Sequence, residues 1–234
     1  MKILEELDYQ QTPMGELILR RRVSPSVPGE LVFEVKLDDQ MLMSSSVNAS
    51  ERALARLALE FLGDRPCDVL VGGLGLGYTA SAALEFPGVR RVVVIELLAP
   101  VISWLRRRLV PTASALLEDS RCSIVEADFF KLVAPGGMKD RYDAILLDID
   151  HSPESWLHER HAEFYTDSGL GELMGCLRSG GVFGLWSATE PADEFLRVLR
   201  SVAGEVQVHE VSFINPHLGE TDSNWIMLAK AVDG

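Results

Sequence analysis

The chain has 234 residues, 47% hydrophobic and 24% charged, a balance that supports a buried core and excludes intrinsic disorder. Its formal net charge of −13 lacks the basic footprint of a general nucleic-acid binder. It favours attraction of cations such as polyamines, although an acidic surface also serves solubility alone.

No uninterrupted apolar run approaches the ~20 residues of a membrane span. The N-terminus, Met1 to Asp8, carries acids where a signal peptide is apolar. Cys67, Cys122 and Cys176 are too scattered for a disulfide frame or a zinc site, so a cytoplasmic protein with reduced thiols and no metal is expected.

Residues 1–47 differ in pattern from the rest. Glu16 to Arg22 and Leu31 to Leu37 read as strands, with a turn over Ser24 to Gly29 between them and a further strand from Met41. A small antiparallel sheet is expected, with Arg20 to Arg22 as a solvated strand face. Asn48 or Ser50 suits a helix N-cap, and Glu51 falls in the first turn. Ala53, Leu54, Leu57, Ala58 and Phe61 form an apolar stripe that stops at Gly63. This divides the chain into a small β-sheet domain, 1–47, and a second, larger domain, 48–234.

The stretch from Asp68 to Glu96 carries the first chemical signal. A β-branched run opens into Gly73, Gly75 and Gly77, a short helical pattern follows, and a second β-branched run ends on Glu96. The glycines permit a sharp turn and close approach of a ligand to the backbone. Glu96, about 20 residues after the last glycine, falls where a carboxylate accepts both ribose hydroxyls. The spacing is G-x-G-x-G followed by Tyr78-Thr79, without the sixth-position glycine of dinucleotide sites or the Gly-Lys-Ser/Thr of a phosphate loop. It suits S-adenosylmethionine-type nucleosides, which carry no pyrophosphate.

Pro100 sits early in the next helix, which ends in Arg106 to Arg108, complementing its dipole. Cys122 to Asp128 is a third strand, with Phe129 and Phe130 directly after it. A carboxylate beside an apolar ring suits an adenine, while Asp128 equally suits a helix N-cap. Tyr142 to Asp148 is a fourth strand whose exit carries Asp148, Asp150 and His151. Two carboxylates there can bind an ammonium ion, and one can take a proton from an amine nucleophile. His151 reads as a base or as an exposed loop residue. A helical segment from Glu163 to Leu177 is interrupted by Gly169 and Gly171. A fifth strand at Gly180 to Ser187, a helix from Pro191, and strands at Glu205 to Ser212 and Asn224 to Ala229 complete the chain. A polar loop, 214–223, joins the last two strands.

The alternation predicts an α/β fold, a Rossmann-like doubly wound sheet ending in an antiparallel hairpin. Over roughly residues 14–231 the sequence resembles the spermidine-synthase-like branch of the class I methyltransferase fold. The resemblance is carried by Val71 to Thr79, Val94-Ile-Glu96, Ala127-Asp128-Phe129, Tyr142 to Asp148 and Gly180-Gly-Val-Phe183. It implies a ribose role for Glu96, an adenine role for Asp128, a catalytic carboxylate at Asp148, and dimers through the N-terminal sheet. Three departures stand out. The aspartate that holds the donor's ammonium in the family motif G-G-G-D-G-G-T is Leu76. The family's D-x-x-D becomes Asp148-Ile-Asp150-His151. Its Tyr-His-Glu element is missing, with Glu51-Arg-Ala-Leu in that region.

Three functions follow. One is aminopropyl transfer, as in polyamine biosynthesis, from decarboxylated S-adenosylmethionine to a small amine such as putrescine, with Asp148 and Asp150 orienting and deprotonating it. Another is methyl transfer from S-adenosylmethionine to a small molecule, which needs no acid at position 76. The last is a non-catalytic nucleoside-binding module.

Overall fold

The computed structural model describes residues 4–24, 27–215 and 219–232. Pro25, Pro216 and residues 1–3, on which parts of the turn, loop and N-terminal readings rest, lie outside them.

The amino end folds as an antiparallel meander of β1 (Leu4–Thr12), β2 (Gly15–Val23), β3 (Leu31–Leu37) and β4 (Gln40–Ser44), in that spatial order. β1 was not foreseen. It is an edge strand, and its polar sequence has no β-branched run to mark it. The expected solvated arginine face is divided by the pleat. Arg20 and Arg22 enclose Glu34, which is 2% exposed, at 2.7 and 2.6 Å, and Arg21 pairs with Glu5 at 2.8 Å. The two guanidiniums hold the Glu34 carboxyl below its usual range against the opposing effect of burial.

The rest of the chain alternates. In order it forms α1 (Ala49–Leu62), β5 (Cys67–Gly72), α2 (Tyr78–Leu84), β6 (Val89–Glu96), α3 (Ala99–Arg106), α4 (Ala113–Glu118) and β7 (Cys122–Glu126). It continues with α5 (Phe129–Val133), β8 (Tyr142–Leu147), a 3-10 helix (Glu159–Tyr165), α6 (Asp167–Gly175), β9 (Leu177–Ser187), α7 (Asp193–Val202), β10 (Glu205–Ile214) and β11 (Thr221–Lys230). The spatial order is β10-β11-β9-β8-β5-β6-β7, with β11 antiparallel to both neighbours and the β7-to-β9 part parallel. This is the doubly wound sheet with a C-terminal hairpin that the alternation predicts. The order reverses between β5 and β8, so a crevice opens beyond their carboxyl ends.

Helices cover both faces of the sheet. Leu54, Ala58 and Leu62 of α1 pack on one face in a core that continues into Leu17, Leu19 and Val35 of the small sheet. Phe164, Leu170, Leu173 and Phe195 cover the other. The small sheet is pinned to α3 through Asp8, which accepts from Trp104 Nε1 at 2.7 Å and pairs with Arg107 at 3.3 Å.

Two local expectations are corrected. Asn48 is the first residue before α1, but neither its side chain nor that of Ser50 caps the helix. Asn48 donates to the Ser45 carbonyl, and the Ser50 hydroxyl is drawn towards Glu51 and Asn224. Gly169 and Gly171 do not interrupt a helix; they lie within α6. Thr166 caps that helix by accepting from Gly169 N–H at 3.2 Å, and a Cβ at position 169 would meet the Glu163 and Phe164 carbonyls at 2.5 Å.

Candidate active site

The turn from β5 into α2 forms the floor of the crevice. Gly73 (φ 94°) and Gly75 (φ 50°) adopt left-handed conformations. A Cβ on Gly73 would sit 2.2 Å from the Asp148 carbonyl, and one on Gly75 would sit 2.9 Å from Met43 Sδ of the small sheet. The turn is thus clamped between the β8 exit and β4. Gly77 (φ 85°) precedes α2. Leu76 is 4% exposed, and its carbonyl accepts from Thr112 Oγ1.

Glu96 stands at the carboxyl end of β6. Its two oxygens accept from Leu74 N–H at 3.0 Å and Leu98 N–H at 2.7 Å, tying the glycine turn to the start of α3. Burial pushes its carboxyl up, and these backbone donors oppose the shift. Asp128 caps α5, accepting from Lys131 N–H at 3.3 Å, with Lys131 Nζ 3.4 Å away. Phe129, 2% exposed, packs under Gly72 and Leu147, where a Cβ on Gly72 would strike its ring. Phe130 turns the other way and stacks on His161, centroids 3.9 Å apart.

These groups line one cleft, in which Gly73, Gly75, Glu96, Asp128, Phe129 and Asp148 come together. Met14, Leu42 and Met43 of the small sheet complete its wall. An apolar slot with a carboxylate at each end has the polarity of a nucleoside: ring and thioether against carbon, ribose hydroxyls and exocyclic amine against oxygen.

Asp148 also faces a second cavity, which shares Gly75, Ile149 and Leu157 with the first. Thr79 donates its hydroxyl to Asp148 Oδ2 at 2.8 Å. Glu51, in the first turn of α1, shares this cavity. The Ser50 hydroxyl lies 2.9 Å from Glu51 Oε2 and from Asn224 Oδ1, and receives the Trp186 indole N–H at 3.0 Å. Burial, with the nearby Asp148 charge, pushes Glu51 up to about 7; burial pushes Asp148 up to about 6. Neither carboxylate has a cationic partner among the described residues. The acids at the opposite end of the sheet contrast with them: Asp68 and Asp143 are ringed by Arg65, Arg90, Arg91 and Arg178.

Asp150, 3% exposed, borders the second cavity, but its oxygens are already engaged. They accept from Leu157 N–H at 2.8 Å, from the Tyr165 hydroxyl at 2.9 Å and from His161 Nδ1 at 2.8 and 3.0 Å. His151 lines the second cavity, and its carbonyl accepts from Ala188 N–H. Among the described residues, no group of three or more His, Cys, Asp or Glu is placed to hold a metal ion. No helix among the described residues is long and apolar enough to cross a membrane.

Sequence reasoning put Glu51 in a helix turn and did not place it, Thr79 or His161 in the site. The available signal for Glu51 was its position, in the region of the missing Tyr-His-Glu element.

A polyamine aminopropyltransferase of Sulfolobus acidocaldarius is 31% identical over 176 residues, which cover 70% of this chain and 51% of that protein. One from Saccharolobus islandicus is 31% identical over 128 residues, covering 54% of this chain and 40% of that protein. The chain thus spans about half or less of these relatives' length. A spermidine synthase solved in complex with the transition state analogue AdoDATO superposes with a TM-score of 0.76 at 19% identity, covering 96% of this chain and 73% of that one. At that identity the likeness speaks for the fold. The spermine/spermidine synthase domain matches residues 48–205, the span from the Glu51 helix through the three strand ends that carry Glu96, Asp128 and Asp148 to the last crossover helix, and the chain belongs to that family.

Proposed function

We propose that this chain transfers an aminopropyl group from decarboxylated S-adenosylmethionine to a small amine of the putrescine type, releasing methylthioadenosine. The observation that carries the reading is the pair Glu51 and Asp148, two carboxylates without cationic partners in one cavity at the end of a nucleoside-shaped cleft. Glu96 takes the ribose hydroxyls, Asp128 the adenine amine, and Gly73, Gly75 and Gly77 let the backbone approach. Phe129 supports the floor of the slot.

In the reaction Asp148 takes a proton from the bound ammonium, and the lone pair so freed attacks the methylene carbon beside the sulfonium. The carbon–sulfur bond breaks, its electrons return to sulfur, and the product leaves as a secondary ammonium beside neutral methylthioadenosine. A carboxylate raised to about 6 is a better base than an ordinary one. Glu51 supplies the negative charge that Leu76 cannot, and holds an ammonium of donor or acceptor. Asp150 acts behind these groups as a positioning residue for the loop that closes the cleft. Asp148→Asn is expected to lower kcat by about 10²–10⁴ with nucleoside affinity kept. Glu51→Gln is expected to raise an amine-bearing substrate's KM about ten- to a hundredfold, the worth of a charge-assisted contact. Methylthioadenosine release from decarboxylated donor and putrescine measures both, and no release from the unaltered chain would sink the reading.

Methyl transfer from S-adenosylmethionine is favoured by one observation, the buried Leu76 where the family carries an acid. Calorimetric titration with both donors separates the two readings. Tighter decarboxylated binding by ~1.4 kcal/mol or more supports aminopropyl transfer, and tighter carboxylated binding supports methyl transfer. A homodimer through the small sheet belongs to the same proposal. β1 is an open edge with Leu4 and Tyr9 exposed, and light scattering that gives a monomer would remove it.

A further inference from the structure

The Asp150 carboxylate, the displaced second acid of the family motif, is paired with His161, a residue that neither the motif comparison nor the transfer reaction uses. Asp150 is almost fully buried, and three donors converge on it: a backbone N–H, a phenol and an imidazole. A buried carboxylate with a full set of donors is fixed in place and not available to an incoming ammonium. Its effect passes to His161. The carboxylate accepts at Nδ1, so the proton of the neutral ring sits on Nδ1 and the Nε2 lone pair points away from Asp150. Stacking on Phe130, with rings 26° apart, fixes the ring plane as well.

His161 lines the nucleoside cleft together with Asp128 and Phe130. Among the described residues, Nε2 has no hydrogen-bond partner, and it is not sealed from solvent, since the single fully buried unpartnered side-chain nitrogen or oxygen is Arg65 Nε. An oriented acceptor therefore stands in the wall of the cleft that the Asp128 carboxylate also lines.

We propose that His161, positioned by Asp150, is a specificity residue for the purine, accepting through Nε2 from the 6-amino edge of the adenine. This rests on the reading of the cleft as a nucleoside site. Two acceptors at that edge welcome an amine and repel a 6-oxo group, whose oxygen would face lone pairs on both sides. The second acid of the family's motif is thus displaced by one position and serves the base rather than the amine.

The test is calorimetric titration of the intact chain with 5′-methylthioadenosine and with its 6-oxo counterpart, methylthioinosine. His161→Phe keeps a ring on Phe130 and removes both nitrogens. His161→Asn keeps a donor for Asp150 and removes Nε2. Each is expected to weaken methylthioadenosine about tenfold, equivalent to about 1.4 kcal/mol, and to shrink the preference over methylthioinosine by the same factor or more. Asp150→Asn releases the tautomer and is expected to shrink that preference too, with the Asp150→Asn/His161→Phe double variant no worse than the worse single one. A merely structural role would lower the unfolding midpoint without changing the ratio between the two nucleosides. Retention of the wild-type ratio in both His161 variants overturns the proposal. So does an Asp150→Asn variant that raises only the amine's KM. A wild-type chain that binds neither nucleoside overturns the cleft reading along with it.

Discussion

Glu51 and Asp148 show what burial without a counter-ion does to a carboxylate. Both are raised, Glu51 to about 7 and Asp148 to about 6, so the folded state holds protons that the unfolded chain has released. Between the ordinary carboxylate range and about pH 7 the folded form binds more protons, and the stability contributed by the pair falls as pH rises through that window. Glu51→Gln removes the burden and is expected to raise the unfolding midpoint at pH 8 by roughly 2–6 °C, at 2–4 °C per kcal/mol for a chain of this size, and to change it little at pH 4.5. Melting scans at the two pH values check this; an equal shift at both would mean that the mutation acts through packing. The same comparison explains what could be read in advance. Glu96, Asp128 and Asp148 stand at or just beyond the ends of strand-like runs, and strand ends are where such folds bind ligands, so their places were legible. Glu51 carries no such mark. A glutamate in a first helical turn satisfies the helix dipole by itself, and only the packing of α1 against the β8 exit turns it towards Asp148.

At the scale of elements, β5, β6, β8 and β9 were legible because burial on both faces leaves apolar runs, as in fully buried β8. β1 and α4 were not, since an exposed edge strand and a six-residue helix carry too little periodicity. The unread β1 matters functionally. Through Asp8 it fastens the small sheet to α3, and that sheet brings Met14, Leu42 and Met43 over the cleft proposed to hold the nucleoside. Asp8→Ala, in a position remote from the reacting groups, strands the Trp104 indole N–H and frees Arg107. It is expected to cost about 1–3 kcal/mol in stability and to weaken methylthioadenosine severalfold by loosening the roof. Denaturant unfolding and calorimetry measure the two effects. A loss of stability with nucleoside affinity unchanged would show that the roof does not depend on this anchor.

Across the whole molecule, charge is sorted along the sheet. At the amino ends of the strands Asp68 and Asp143 are neutralised by arginines, whereas at the carboxyl ends Glu51, Glu96 and Asp148 are not. A chain with net charge −13 thus concentrates unpaired negative potential at the mouth where a cationic donor and a cationic amine would enter. Low-dielectric walls focus such a field, and salt screens it, with a Debye length of about 10 Å at 0.1 M and about 3 Å at 1 M. The entry of the amine should therefore depend on ionic strength and the bond-breaking step should not. Between about 0.02 and 0.5 M sodium chloride, kcat/KM for a diamine acceptor is expected to fall severalfold while kcat moves less than twofold, because steering acts on encounter and the buried pair is screened little once the substrate is in place. Sodium sulfate matched in ionic strength should give the same curve if screening is the cause. A fall in kcat that tracks kcat/KM would instead place the salt effect on the fold or on Asp148 itself, and the sorting of charge would then be a feature of stability alone.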